Sequence, residues 1–160
     1  MAVEIERKFL VNGDDWRAAV QRSEHFRQGY LVSDAVRSVR VRVAGTHAWL
    51  NLKSATVGRS RREYEYEIPV TDAEEMLDLL CRKPILEKTR HFLEYGGLLW
   101  EIDEFEGDNV GLVLAEVELD SAGQEVRLPP WAGQEVTDDV RYYSARLAEH
   151  PYRLWGTGGA

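Results

Sequence analysis

Most of this chain alternates hydrophobic with polar residues, a pattern typical of β-strands that have two different faces. The alternation is clearest near the N-terminus, where one face of residues 3–10 carries Glu4, Glu6 and Lys8. It recurs in segments that are separated by turn-forming residues such as Gly96-Gly97. The pattern predicts strands at residues 3–10, 28–32, 36–43, 48–53, 61–70, 86–95, 98–105 and 112–119.

Three other segments have hydrophobic residues at the spacing of a helix. The first is predicted after a turn at residues 12–14, and it includes Phe26. The second covers residues 73–80. The third begins at residues 137–139, after an irregular segment that opens with Pro129.

Two folds fit strands with one hydrophobic and one charged face. In the first, helices cover the hydrophobic face of an open sheet and the charged face meets water. In the second, an antiparallel sheet closes into a barrel with the charges inside and the helices outside. Six of the predicted strands cluster charges of one sign on one face, whereas a solvated sheet gains from mixing signs. The sequence therefore favours an α+β fold built on the closed barrel.

Composition limits the class of protein. The chain has 160 residues, and we predict one domain at 1–155 followed by a mobile tail at 156–160. No window approaches the roughly 18 apolar residues of a transmembrane helix, and the N-terminus lacks the segments of a signal peptide. The lone cysteine, Cys81, excludes an internal disulfide. We therefore expect a cytoplasmic protein, with Cys81 in the hydrophobic core.

The net charge of −8 argues against nucleic-acid or membrane partners, but it allows an enclosed basic site. Arginine forks and lysine ammonium groups suit a polyanion with several phosphate groups. Carboxylates without clustered Cys or His point to Mg²⁺ or Mn²⁺. Together these groups favour phosphoryl transfer. The basic candidates are Lys8, Arg40, Arg42, Lys53, Lys88 and Arg90, with Arg61 possible; the acidic ones are Glu4, Glu6, Glu63, Glu65, Glu67, Glu101, Asp103, Glu116 and Glu118.

The motif Glu4-x-Glu6-x-Lys8 resembles the signature of the CYTH superfamily, the triphosphate tunnel metalloenzymes. This resemblance implies a closed eight-stranded antiparallel barrel around a tunnel that holds a triphosphate, with opposed acidic residues that bind a divalent metal. The similarity extends in order over nearly the whole chain, through Gln28-Gly29-Tyr30, Val39-Arg40-Val41-Arg42, Leu52-Lys53, Arg61-x-Glu63-x-Glu65, Glu87-Lys88-Thr89-Arg90, Ile102-Asp103, Glu116-x-Glu118, Val136-Thr137 and Arg141-Tyr142.

The resemblance also implies roles for individual residues. Lys8 and Tyr30 match a pair implicated in catalysis in short bacterial members, and Glu65 is a further catalytic candidate. One departure is Tyr143-Ser144, which stands where the family commonly has an Asn after the Arg-Tyr of the last helix. Metal-binding positions are matched by Glu4, Glu6, Glu116 and Glu118; positions for a second metal or the nucleophilic water by Glu63, Glu65 and Asp103; phosphate-binding positions by Lys8, Arg40, Arg42, Lys53, Lys88 and Arg90.

The family contains several activities, and this chain most resembles its short bacterial inorganic tripolyphosphatases. The resemblance therefore implies Mg²⁺- or Mn²⁺-dependent hydrolysis of inorganic tripolyphosphate, with other triphosphates slower. The alternatives are a class IV adenylate cyclase, a thiamine triphosphatase and a non-catalytic module that binds polyphosphate or nucleotide. The expected partner is a small triphosphate, and the protein is expected to be a monomer or a homodimer.

Overall fold

The structure is a computed structural model, and it describes residues 2–55 and 60–155. The predicted mobile tail at 156–160 lies outside the described residues. The α-helices are α1 Val70–Leu79 and α2 Ser144–Glu149, and short 3₁₀ helices lie at Asp15–Ala19, Gly107–Asn109, Val140–Tyr142 and Tyr152–Leu154. The strands are β1 Ala2–Val11, β2 Arg22–Ser33, β3 Arg37–Ala44, β4 His47–Ser54, β5 Ser60–Ile68, β6 Leu86–Tyr95, β7 Leu98–Phe105, β8 Val113–Glu118 and β9 Ala132–Glu135.

Strands β1 to β8 form a closed antiparallel barrel, which confirms the predicted fold. Neighbouring strands follow the order β5-β4-β3-β2-β6-β7-β8-β1, and pairing between β1 and β5 closes the ring. β1 can serve three neighbours because it is long: its first half pairs with β5, its second half with β8, and its end with the short β9. Closure leaves the barrel with no free sheet edge at this junction.

Part of the outward, largely hydrophobic surface of the strands is covered by helices and loops. On one side Phe9 of β1 and Trp100 of β7 pack with Trp16 and Trp131, which come from the segments between strands. All four rings are at least 93% buried, since their exposed fractions are 1%, 0%, 1% and 7%. Burial of aromatic side chains outside the ring stabilises the barrel and turns the alternate, charged side chains inward.

Helix α1 covers another part of the outer surface through Ala73 and Leu77, which are fully buried. Cys81 lies in the same cluster, so its predicted core position is confirmed. The chain after α1 approaches β2 closely at Gly29. A Cβ atom at Gly29 would lie 2.9 Å from both Cys81 Cβ and Ile85 Cδ1, so only glycine fits there without a shift of its neighbours.

One end of the barrel is filled by hydrophobic side chains. Leu86 of β6 and Leu114 of β8 share the strand faces that carry charges further along, and they pack against Tyr142, Leu147 and Trp155. The last three residues belong to the C-terminal segment, which includes α2. The C-terminal segment therefore plugs one end of the barrel, and the charged part of the interior lies beyond the plug.

Three predictions of secondary structure are wrong. Phe26 lies in β2 and not in a helix, because pairing with β3 and β6 extends this strand back to Arg22, and the first helix is only the 3₁₀ turn Asp15–Ala19. The segment after Pro129 contains β9, whose pairing with β1 no local pattern announces. The last helix begins at Ser144. No helix in the described part of the chain is long and apolar enough to span a membrane.

Candidate functional site

The inward faces of the strands enclose a cavity of about 1000 Å³. Its wall is dominated by charged side chains, as the alternation of the strands predicts. Every residue predicted for the site lines this cavity except Asp103 and Glu67; Glu67 instead pairs with His47, where both side chains are exposed. The predicted residues that line it are Glu4, Glu6, Lys8, Tyr30, Arg40, Arg42, Lys53, Glu63, Glu65, Lys88, Arg90, Glu116 and Glu118.

The carboxylates of β1 and β8 form an acidic wall. Burial, followed by the charges of Glu116 and Glu4, raises the pKa of Glu6 to about 8. Burial and the charges of Glu4 and Glu63 also raise the pKa of Glu118. A carboxylate whose pKa is raised by burial and by neighbouring negative charge is stabilised most by a nearby cation. The donor set is all oxygen, and no His or Cys lines the described cavity, so the wall fits a hard divalent cation.

A compact group of possible metal ligands lies elsewhere, on the outer surface. Among the described residues, His25, Glu87 and Glu106 form the trio whose ligand atoms lie within 4.8 Å of one another. All three are exposed, and His25 Nε2 lies 2.9 Å from a Glu106 carboxylate oxygen and 3.4 Å from one of Glu87. We interpret this trio as a surface ion-pair cluster, since it has no connection with the cavity.

Several cavity cations are already paired with carboxylates. Lys53 Nζ lies 2.8 Å from Glu4 Oε2, and Arg61 Nη2 lies 3.5 Å from Glu4 Oε1. Lys8 Nζ lies 3.3 Å from Glu116 Oε1. Part of the acidic wall is therefore neutralised by side chains of the protein itself.

Asp103 is held by two cations beside the plugged end of the barrel. Its carboxylate accepts from Lys88 Nζ at 2.7 Å, and from Arg90 Nε at 2.7 Å. Burial alone would raise the pKa of Asp103, but the charges of Arg90 and Lys88 hold it well below its usual range. Arg90 also donates to Glu101 at 2.9 Å. Asp103 thus lies behind the basic residues and not among the lining carboxylates, and its role toward a second metal or the nucleophilic water stays a prediction.

Arg40 and Arg42 of β3 differ from the other cavity cations that are not exposed. Within the described ranges, neither forms an ion pair with a carboxylate, and the buried Nε of Arg40 has no hydrogen-bond partner. Burial and the charges of Arg40 and Arg90 lower the pKa of Arg42 to about 9. Positive charge that is buried without a counter-charge favours an anionic ligand. These two arginines are therefore the candidates in the wall for binding an anion.

Comparison with known proteins agrees with this geometry. The family model described as the CYTH domain matches residues 2–152. The chain belongs to the CYTH family. This confirms the resemblance found in the sequence.

Two relatives of this CYTH protein are named inorganic triphosphatase. The one from Acetivibrio thermocellus is 46% identical over 153 residues, which cover 96% of this chain and 97% of the relative. The one from Nitrosomonas europaea is 43% identical over 152 residues, which cover 91% of this chain and 96% of the relative. A solved structure of an inorganic triphosphatase has a TM-score of 0.65 at 40% identity, covering 92% of this chain and 95% of that one.

The CYTH barrel also places residues in the site that sequence reasoning missed. Asn51 is 0% exposed, and its Nδ2 donates to Glu63 Oε2 and Glu65 Oε2, each at 2.9 Å. Tyr143 lines the cavity, and its ring centre lies 5.3 Å from Lys8 Nζ. Asn51 shares a strand face with Lys53, and this parity was the available signal for it. The position of Tyr143 depends on the path of the C-terminal segment, which the sequence pattern does not specify.

Proposed function

We propose that this protein is an inorganic triphosphatase that hydrolyses tripolyphosphate to pyrophosphate and phosphate. Two relatives that match almost the whole chain carry that name, at 46% and 43% identity. The observation that carries the proposal is the cavity wall, where the unpaired Arg40 and Arg42 share one enclosed space with carboxylates whose pKa is raised. A linear triphosphate with a divalent cation satisfies both groups at once.

The basic side chains bind and orient the triphosphate. Arg40 and Arg42 receive phosphate oxygens first, because no carboxylate has to be displaced from them. Lys53 and Arg90 exchange their carboxylate partners for phosphate oxygens once the anion is in place. The planar arginine fork offers two parallel hydrogen bonds to one phosphate, so it fixes the orientation of the chain as well as its position.

The acidic side chains hold a divalent cation, and we propose Mg²⁺ or Mn²⁺. The residues that would hold it are Glu4, Glu6, Glu116 and Glu118, which face one another across β1 and β8. A divalent cation held there would supply positive charge against the negative charge that develops during phosphoryl transfer.

Hydrolysis also needs a water molecule and a path for its proton. Glu65 accepts this proton in our proposal, and the amide of Asn51 keeps Glu65 and Glu63 oriented together. Lys8 and Tyr30 both line the cavity, although no hydrogen bond joins them among the described residues. The Lys8 ammonium stabilises negative charge on the leaving phosphate, and the Tyr30 hydroxyl orients a phosphate oxygen or the water.

We further propose a cytoplasmic location, which the single cysteine supports, because a reducing compartment needs no disulfide. The monomeric or homodimeric state expected from the sequence stays a prediction. Size-exclusion chromatography with light scattering distinguishes the two states.

Product analysis tests the proposed reaction. The purified protein is incubated with Mg²⁺ and either tripolyphosphate or ATP, and the products are separated by ion-exchange chromatography. We expect phosphate and pyrophosphate from tripolyphosphate, with slower release of phosphate from ATP. Cyclic AMP and pyrophosphate as the main products of ATP, with tripolyphosphate left intact, would overturn the proposal. Tight binding without any product would indicate a binding module instead.

A further inference from the structure

Arg42 is held in place by two residues of β2 and not by a carboxylate. Its Nε donates to Oε1 of Gln28 at 3.0 Å, and its guanidinium carbon lies 4.5 Å from the centre of the Phe26 ring. Gln28 and Arg42 are directly opposite each other in the β2–β3 register. A hydrogen bond at Nε fixes the plane of the guanidinium group and leaves both terminal nitrogens free for a ligand.

Gln28 is an unusual residue for its surroundings. Its side chain is 0% exposed, and it is not among the described residues that line the cavity. Its Nε2 is buried, and no acceptor meets it in the described part of the chain. An unmet buried donor destabilises a fold, and a hydrophobic side chain of the same size would avoid that cost. The hydrogen bond that Gln28 Oε1 accepts from Arg42 is therefore the contact that explains an amide at this position.

The ring of Phe26 forms a cation–π contact with the same guanidinium group. Its ring centre also lies 5.1 Å from the guanidinium carbon of Arg90 and 5.9 Å from Nζ of Lys88. The face of an aromatic ring attracts a cation without cancelling its charge, whereas a carboxylate would neutralise it. Gln28 and Phe26 therefore restrict the motion of Arg42 and preserve its full charge for an anion.

We propose that Gln28 is a positioning residue, which orients Arg42 so that its two terminal nitrogens receive phosphate oxygens of the substrate. The inference rests on the proposed triphosphatase function and names a residue that acts through Arg42 without touching the substrate. The physical gain is preorganisation: a guanidinium that is already oriented loses less rotamer freedom when the anion binds.

The variant Gln28→Met tests this role, because it keeps the length of the side chain and removes the acceptor. Calorimetry with tripolyphosphate and no divalent cation gives the Kd without turnover. We expect the Kd to rise about tenfold, since one hydrogen bond that orients a charged group is lost. In steady-state kinetics with Mg²⁺, we expect KM to rise by a similar factor. We expect kcat to change by less than about twofold, because the bound substrate itself orients the Arg42 guanidinium.

A matched control removes a buried amide far from the cavity. Asn109 is 5% exposed and accepts a hydrogen bond from the backbone N–H of Tyr152 at 2.8 Å. Asn109→Leu is expected to lower the melting temperature with the Kd for tripolyphosphate unchanged. A Kd that rises equally in Asn109→Leu and Gln28→Met would mean that general destabilisation, and not positioning, causes the effect.

A double-mutant cycle isolates the contact. Lysine has no Nε–H group, so in an Arg42→Lys background Gln28→Met is expected to change the Kd by less than about twofold. The same loss in both backgrounds, or an unchanged Kd in Gln28→Met alone, overturns the inference while the triphosphatase proposal stands. Failure of the wild-type protein to bind tripolyphosphate overturns both.

A spectroscopic measurement needs no change at Gln28. In the ¹⁵N spectrum of the wild-type protein, the Arg42 Nε–H signal can be assigned by its loss in Arg42→Lys. We expect this signal to be protected from solvent exchange before tripolyphosphate is added. A signal that becomes protected only after the anion binds would contradict preorganisation.

Discussion

At the scale of single residues, the cations of the cavity differ in whether a carboxylate already neutralises them. Arg90 donates to Asp103 and to Glu101, each through bonds shorter than 3 Å. Arg40 forms no ion pair among the described residues, although it is only 7% exposed. Arg90 thus stabilises the empty barrel, whereas in our proposal Arg40 gains its counter-charge from the substrate.

This difference predicts opposite effects on stability. Arg90→Met leaves Asp103 and Glu101 without their shared cation, so we expect the free energy of unfolding to fall by about 3–5 kcal/mol. Arg40→Met removes a buried charge that lacks a partner, so the free energy of unfolding stays within about 1 kcal/mol of the wild type or rises. Urea unfolding in the absence of phosphate measures both. A large loss in Arg40→Met would show that Arg40 has a structural partner.

The acidic wall gives a second prediction at this scale. Glu6→Gln removes a carboxylate that faces Glu116 and Glu4, so the protein stays folded with an unchanged or higher melting temperature. Metal-dependent phosphate release falls by about a hundredfold or more, because the uncharged amide is a much weaker ligand for a divalent cation than a carboxylate. The control is Glu75→Gln on the exposed face of α1, which is expected to retain full activity. Full turnover by Glu6→Gln would exclude Glu6 as a metal ligand.

The sequence predicted which residues face the cavity better than it predicted their contacts. The side of the sheet on which a side chain lies follows from the two-residue period of a strand. Arg40, Lys53 and Glu116 could therefore be assigned to the cavity from the local pattern. Contacts depend on which strands become neighbours, and this is why the sequence did not show that Asp103 pairs with Lys88 and Arg90. The same limit hid Asn51, whose two acceptors come from β5.

At the scale of elements, long-range strand pairing overrides local helical patterns. The helical spacing that includes Phe26 is real, but hydrogen bonds to β3 and β6 extend β2 over Arg22–Ser33. Strand β9 has only four residues, Ala132–Glu135, and it exists because β1 offers an unpaired edge beyond β5. A sequence pattern carries no information about such an edge.

The contribution of a helical leucine to stability depends on whether its side chain is buried. Leu147 of α2 is fully buried in the plug at one end of the barrel, whereas Leu79 at the end of α1 is 78% exposed. We expect Leu147→Ala to lower the free energy of unfolding by about 2–5 kcal/mol, and Leu79→Ala to change it by less than about 0.5 kcal/mol. Chemical denaturation measures both values. Equal effects would contradict the assignment of α2 as part of the plug.

At the scale of the whole molecule, a closed barrel forces charges of both signs into one enclosed space. This arrangement costs stability until a ligand supplies the missing counter-charges. We therefore expect tripolyphosphate with Mg²⁺ to raise the melting temperature, by mass action on the native state. At a ligand concentration of about 100 times Kd, the stabilisation is about 2.7 kcal/mol. Orthophosphate at the same concentration is expected to shift the melting temperature less, because it engages fewer cations; equal shifts would argue against a site for a chain of phosphates.

Phosphate release from tripolyphosphate tests the proposed function most directly. It is measured with Mg²⁺ for the wild-type protein and for the double variant Arg40→Gln, Arg42→Gln. Circular dichroism checks that both proteins are folded. We expect turnover by the wild-type protein and loss of that turnover when the metal is chelated. In the folded double variant we expect kcat/KM to fall by about a hundredfold or more. Wild-type turnover in the double variant would contradict the claim that the unpaired arginines of the cavity bind the substrate.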